Sequence, residues 1–227
     1  MFTNCFKFIQ KSFVFICIAL FSAHAFASSY DAFFEAVQKD DESAVIALAL
    51  REFDLNTLHP SGDHGLLIAI RSGSVKVANF LLDQRSVKVE VRNRQDESAL
   101  MMAALKGQLA IAKRLIARDA EVNKPGWTPL HYAATNADPV SVEMTRLMLE
   151  HHAYIDAASP NRTTPLMMAA HYGHPDVVKL LLEEGADASL RNEKGLSAMD
   201  FARGANRPAV VDIIASHQRT RLPRGTW

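Results

Sequence analysis

The sequence predicts an all-α solenoid of about six stacked helix-turn-helix units joined by short hairpin-like turns. Three observations predict it. Ala36, Ala69, Ala103, Ala133, Ala169 and Ala202 recur at spacings of 33, 34, 30, 36 and 33 residues, and a steady period of that length marks a repeat architecture. Most of these alanines sit in a short apolar run of helical spacing, opened by Ser, Thr or Pro and closed by Gly. The composition, 48% hydrophobic and 22% charged with 25 basic against 25 acidic side chains, is that of one folded domain and excludes a disordered or collagen-like chain.

Residues 1–27 read as an export signal. Lys7 and Lys11 give a basic start and residues 13–21 an apolar middle. Ala25-Phe26-Ala27 places small residues where a signal peptidase needs them, so cleavage is expected after Ala27. The apolar run is short of the roughly 20 residues that span a bilayer, which argues against an uncleaved anchor. Ile16 before Cys17 argues against a lipoprotein. Cleavage would remove Cys5 and Cys17, the only two cysteines, so the mature chain would enter an oxidising compartment with neither disulfide nor thiol.

The first unit, within residues 28–57, carries Phe33, Phe34, Ala36 and Val37 and then Val45, Ile46, Leu48 and Leu50, and reads as an N-terminal cap. Residues 58–190 hold the regular units. The second opens with His64-Gly65 in place of a hydroxyl and Pro, which predicts a looser helix start. The third opens at Ser98. The fourth follows a connection, residues 120–127, three residues short, so its finger-like turn should be stunted. Three extra residues then appear between its helices, around 135–141, and are expected in a loop. In the fifth, Thr164 is an N-cap and Pro165 the first helical residue. Leu166, Ala169 and Ala170 share one face, and Gly173 is expected to end the helix in the left-handed conformation. Pro175 opens the second helix, which buries Val177, Val178, Leu180, Leu181 and Leu182 and ends at Gly185. Residues 191–217 read as the C-terminal cap, and 218–227, with Arg219, Arg221, Arg224 and Trp227, as a basic tail without helical period.

These residues resemble the ankyrin repeat, most plainly in Thr128-Pro129-Leu130-His131-Tyr132-Ala133-Ala134 and in the copy that starts Thr164-Pro165-Leu166-Met167-Met168-Ala169-Ala170. The resemblance implies that His131 and His174 bond turn backbone. It also implies that recognition runs through the turn tips and the exposed side of each first helix, which line a concave surface. Carried over by position, this selects Arg71; Arg94, Gln95, Leu105 and Lys106; Trp127 and Asn136; and Arg162, His171 and Tyr172. Trp127 and Tyr172 weigh most, since aromatic residues dominate interface hot spots.

No Gly-rich phosphate loop, nucleophile elbow or His-Glu-x-x-His pattern is present in the sequence. His171 with His174, or His151 with His152, lacks a carboxylate or thiol at ligand spacing, so no metal or cofactor is expected. A solenoid face is open to water, which disfavours acid-base catalysis, and the balanced charge disfavours nucleic acid. The expected function is a non-catalytic, monomeric, periplasmic binder of a protein partner of unknown identity. It would help, protect or inhibit an envelope enzyme such as a haem catalase, or act as immunity protein to a toxin, with no membrane contact after cleavage. The alternative is an exported factor acting on a host or competitor protein outside the cell.

Overall fold

Six helix pairs make up residues 29–221, the part of the chain that the computed structural model describes. The first members are α1 (29–38), α3 (Gly65–Ser72), α5 (Ala99–Leu105), α7 (Pro129–Thr135), α9 (Pro165–His171) and α11 (Ala198–Gly204). The second members are α2 (Glu42–Ala49), α4 (Val75–Asp83), α6 (Leu109–Ile116), α8 (Val140–Glu150), α10 (Pro175–Glu183) and α12 (Pro208–Arg221). Apart from one isolated bridge between Leu58 and His64, strand pairing is absent among the described residues. From α3 onward the first helices pack side by side in one layer and the second helices in another. The expected signal and its cleavage after Ala27, and Pro223, Arg224 and Trp227, lie outside the described residues.

The first-helix layer is closed by small side chains. Ala99, Ala103 and Ala104 on α5, Ala133 and Ala134 on α7, Ala169 and Ala170 on α9, and Ala198 and Ala202 on α11 are all buried. Side chains that end at Cβ let neighbouring helices approach to the short end of the 8–10 Å range. The second helices supply bulk instead: Val77 and Leu81, Ile111 and Leu115, Met144 and Met148, Val178 and Leu181, Val210 and Ile214 are buried at helical spacing. In the N-terminal unit Phe33, Phe34, Val45 and Leu48 are buried as expected, but Leu50 is 81% exposed. It is the C-cap residue, one past the end of α2.

The helix starts follow the sequence closely. The Ser98, Thr164 and Ser197 hydroxyls accept from the amides of Met101, Met167 and Asp200 at 3.3, 3.4 and 3.3 Å. At Thr128 the reciprocal contact dominates: the amide donates to Nδ1 of His131 at 3.2 Å, while Nε2 of His131 lies 2.9 Å from the Thr163 carbonyl in the next unit. Burial drives His131 down to about 4. His64 is a correction. The imidazole makes a tight start, its Nδ1 accepting from the Leu66 amide at 3.2 Å and its Nε2 lying 3.3 Å from Asn56 Oδ1. Burial holds His64 at about 4 as well, so it stays the neutral acceptor a cap requires. Gly65 is tight too, since a Cβ there would lie 2.8 Å from the Phe33 ring.

Three further expectations are corrected. Gly173 does not take the left-handed conformation. Its lack of a side chain serves packing, because a Cβ would lie 2.1 Å from the Ala134 carbonyl oxygen and 2.9 Å from Cα of Ala169. The extra residues of the fourth unit go mostly into helix: α8 has 11 residues against 8 or 9 in α4, α6 and α10, because adding helical residues satisfies their backbone groups without a longer loop. The stretch 218–221 continues α12, since Gln218, Arg219, Thr220 and Arg221 include no Pro or Gly to stop it.

Asn56, Glu90, Asn123 and Asp156 recur at nearly the same repeat position, and each accepts from an amide of the following unit. The donors are Lys88 at 2.8 Å, Glu121 at 3.0 Å, Tyr154 at 2.8 Å and Asp187 at 3.1 Å. These bonds bracket one unit to the next along the outer edge of the turns.

Replacing Gly173 with Ala is expected to cost about 3 kcal/mol, the high side of overpacking penalties, because backbone and not a flexible side chain blocks the new methyl. Gly73→Ala meets nothing within 4 Å and should cost only the left-handed penalty of about 1 kcal/mol. Urea unfolding of both variants measures the difference.

Candidate functional site

The turns before the first helices form a row of fingers. Those of units two, three, five and six close by backbone bonds: His59 to Asp63 at 2.9 Å, Asn93 to Glu97 at 3.1 Å, Ser159 to Thr163 at 3.0 Å and Asn192 to Leu196 at 3.0 Å, each from amide to carbonyl. The fourth finger is stunted, as its short connection predicts. Lys124 holds it instead, with Nζ donating to the Trp127 carbonyl at 3.0 Å and bonding Asp96 of the third finger. The Lys124 side chain is only 2% exposed, so a buried ammonium does the work of a missing hairpin. Its hydrogen bond holds the Asp96 carboxyl below the usual carboxylate range.

Contacts run along the whole row. The Arg94 stem packs over Gly62, Asp96 meets Lys124, Gly126 faces the Pro160 ring, and the Glu193 amide donates to the Asn161 carbonyl at 3.1 Å. Fingers and first helices thereby form one continuous wall.

Much of the polar chemistry on that wall is already spent. Arg71 binds Asp63 with both terminal nitrogens, at 2.9 and 3.2 Å, and reaches Glu97 at 3.3 Å. Asn93 donates to Asp63 and to Glu97, both at 2.9 Å, Ser61 donates to Asp63 at 2.8 Å, and Tyr132 donates to Glu97 at 3.1 Å. Burial raises the Asp63 carboxyl, but the bonds from Arg71, Asn93 and Ser61 outweigh it and hold the group at about 2. Burial, then the Glu97 charge, pushes the Tyr132 phenol well above its ordinary range. The network ties units two, three and four together.

The ten residues selected from the sequence therefore divide. Arg94, Gln95, Lys106, Arg162 and Tyr172 are exposed, with Tyr172 at 53%. Trp127 and His171 are half-buried: Trp127 sits edge-on to His131 at 5.2 Å, and His171 packs against Tyr172 at 4.1 Å and Phe201 at 5.9 Å. Arg71 is committed to the internal network. Asn136 is likewise structural, donating to the Leu105 carbonyl at 3.0 Å and accepting from the Asp138 amide at 2.8 Å. Leu105 packs half-buried on the core. Sequence reasoning missed Asp63, Asn93, Glu97, Tyr132 and Phe201. Tyr132 and Phe201 each directly precede an aligned alanine, a position that could have been read as facing the wall.

Among the described residues no group of three His, Cys, Asp or Glu gathers to hold a metal, and no helix is long and apolar enough to cross a membrane. An open groove of about 420 Å³ lies between α10 and α12, lined in part by Leu182, Ile213 and His217, on the second-helix layer away from the wall.

The chain matches the family model for ankyrin repeats over residues 33–125, 85–159, 122–192 and 141–221. It is 34% identical over 173 residues to the ankyrin repeat and SAM domain-containing protein 6 of Rattus norvegicus, covering 71% of this chain and 16% of that one. To the neurogenic locus notch homolog protein 1 of Xenopus tropicalis it is 31% identical over 179 residues, 71% of this chain and 7% of that one. The chain thus spans only a small part of these curated relatives. A solved structure of a predatory endopeptidase from Bdellovibrio bacteriovorus in complex with an immunity protein contains a similar chain, with a TM-score of 0.71 and 28% identity over 82% of this chain and 97% of that one.

Arg71→Ala is expected to cost about 1 kcal/mol at pH 7, a part-exposed pair being worth less than a buried one. Asp63, with its folded pKa below its unfolded one, contributes stability that is complete above about pH 4 and is lost as pH falls toward about 2. In the variant that acid loss should be smaller and should be complete at higher pH, because Asp63 loses the Arg71 bonds that lower its folded pKa. Urea midpoints from pH 7 to 2 measure both effects.

Proposed function

This chain belongs to the ankyrin-repeat family, and from that premise we propose that it is a non-catalytic module that grips one protein partner with its finger-lined wall and restrains that partner's activity. The single observation that carries this reading is the division of the wall. The acidic groups of its second and third fingers are taken up by Arg71 and Lys124, while Arg94, Lys106, Arg162 and Tyr172 face solvent and their head groups make no hydrogen bond or ion pair within the described residues. A surface with unpaired cations and an exposed aromatic ring suits recognition of another macromolecule.

The solved complex, in which an immunity protein accompanies an endopeptidase, supports the kind of partner proposed. That likeness supports an inhibitor of a hydrolytic enzyme over a helper. The pattern of residues 1–27 supports export to the periplasm with cleavage after Ala27, where such an inhibitor would protect the producing cell.

The test is crosslinked capture by the tagged protein from an osmotic-shock extract of its native cell, beside Tyr172→Ala. One hydrolase should be enriched by the wild type and about tenfold less by the variant, in keeping with a hot-spot loss near 1.4 kcal/mol. Recovery of the protein only in the culture medium would contradict the periplasmic reading and favour an exported factor.

A further inference from the structure

Four fingers place one residue in the left-handed conformation at the same position: Gly62 at φ 88°, Asp96 at φ 61°, Arg162 at φ 60° and Gly195 at φ 73°. Gly accepts that conformation freely, and Asp tolerates it by local hydrogen bonding. Arg has neither advantage. An arginine held at the tip of the fifth finger against its backbone preference points to a role for its side chain, the direction in which an outlier can be read.

Arg94 is set in place differently. Its aliphatic stem lies over Gly62, so that a Cβ at Gly62 would stand 2.9 Å from Cγ of Arg94. The guanidinium itself has no partner among the described residues, and neither has that of Arg162. Two cations are thus unpaired, while the acids of the second and third fingers, and Asp200 on α11, are bonded. Asp96 bonds Lys124, Asp63 and Glu97 bond Arg71, and Asp200 is bonded by Ser197 and faces Arg191 at 3.5 Å.

The two arginines flank the stunted fourth finger. With first helices 8–10 Å apart, two units separate their tips by roughly 20 Å. Between them the fourth finger lacks the hairpin bond of its neighbours, and Trp127, which ends it, is half-buried against His131. Beyond Arg162 the next finger alternates Glu193 and Lys194, so the unopposed positive stretch ends there.

We propose that this notch, with Arg94 and Arg162 as its walls and Trp127 as its floor, recognises an acidic segment of the protein partner. An extended strand of about six residues covers roughly 20 Å, so carboxylates near its two ends would meet both guanidinium groups and apolar atoms between them would rest on the indole. Phosphate would also suit guanidinium groups. Nucleic-acid binding, however, calls for clustered basic charge, and here the two cations stand two units apart on a chain of formal net charge zero. The inference rests on the binding-module reading above and adds the partner's chemistry.

The test titrates the purified protein with a labelled oligoglutamate of about ten residues and with its glutamine counterpart. The glutamate peptide should bind with an affinity that falls as salt rises, and the glutamine peptide should not. Arg94→Gln with Arg162→Gly should weaken binding roughly tenfold, while Lys76→Gln with Lys113→Gln on second helices leaves it unchanged. Arg162→Gly alone should weaken binding yet raise Tm by about 2–4 °C, so unfolding cannot explain the loss. Equal binding by the arginine variant and the wild type, no binding at all, or tighter binding of a single-stranded DNA of the same charge overturns the inference. Successful capture of one partner through Tyr172 alongside any of these results would sink the acidic specificity alone and leave the binding module standing.

Discussion

The close approach of the first helices is the constraint on which the remaining structure depends. One helix pair has too little apolar surface to fold alone, so each unit must lay its first helix against the next. Ala103, Ala133, Ala169 and Ala202 make that possible, and at Gly173 even a methyl group is too much. The second helices have no such limit and fill their layer with Leu, Ile, Val and Met. This difference in side-chain volume between the layers favours curvature toward the first-helix side, the sense that the family resemblance implies.

Stacking at that distance brings polar groups from neighbouring units within bonding range, and most of them are used. Arg71 joins the second finger to the third, Tyr132 joins the fourth unit to the third, and His131 reaches the fifth. Such bonds make the wall rigid, and a rigid wall loses little entropy when a partner docks. The cost is that many polar residues on a recognition surface are unavailable for recognition. Exposure together with the lack of an internal partner separates Arg94 and Arg162 from Arg71, although all three are arginines on the same wall.

The period, the caps and the shortened fourth turn were legible in the sequence because each is a local rule: Thr before Pro, alanine at a fixed interval, a connection three residues short. What escaped was non-local. Gly173 looked like a helix stop because glycine commonly is one, and only the carbonyl of Ala134 in the neighbouring unit shows otherwise. His64 looked like a poor cap, yet burial keeps its imidazole neutral and able to accept. Arg71 and Asn136 were chosen for the binding face by repeat position, and their true partners, Asp63 and Leu105, are 8 and 31 residues away. A repeat alignment fixes which residues face the wall, but it does not show which of them are already occupied.

Hydrogen-exchange mass spectrometry on the free protein and on its complex with the captured partner tests the central claim most directly. New protection is expected on the fingers at 92–97 and 159–163 and on α5, α7 and α9, with α4, α6 and α8 unchanged. Protection confined to the second helices, or to the groove between α10 and α12, would contradict recognition by the concave wall.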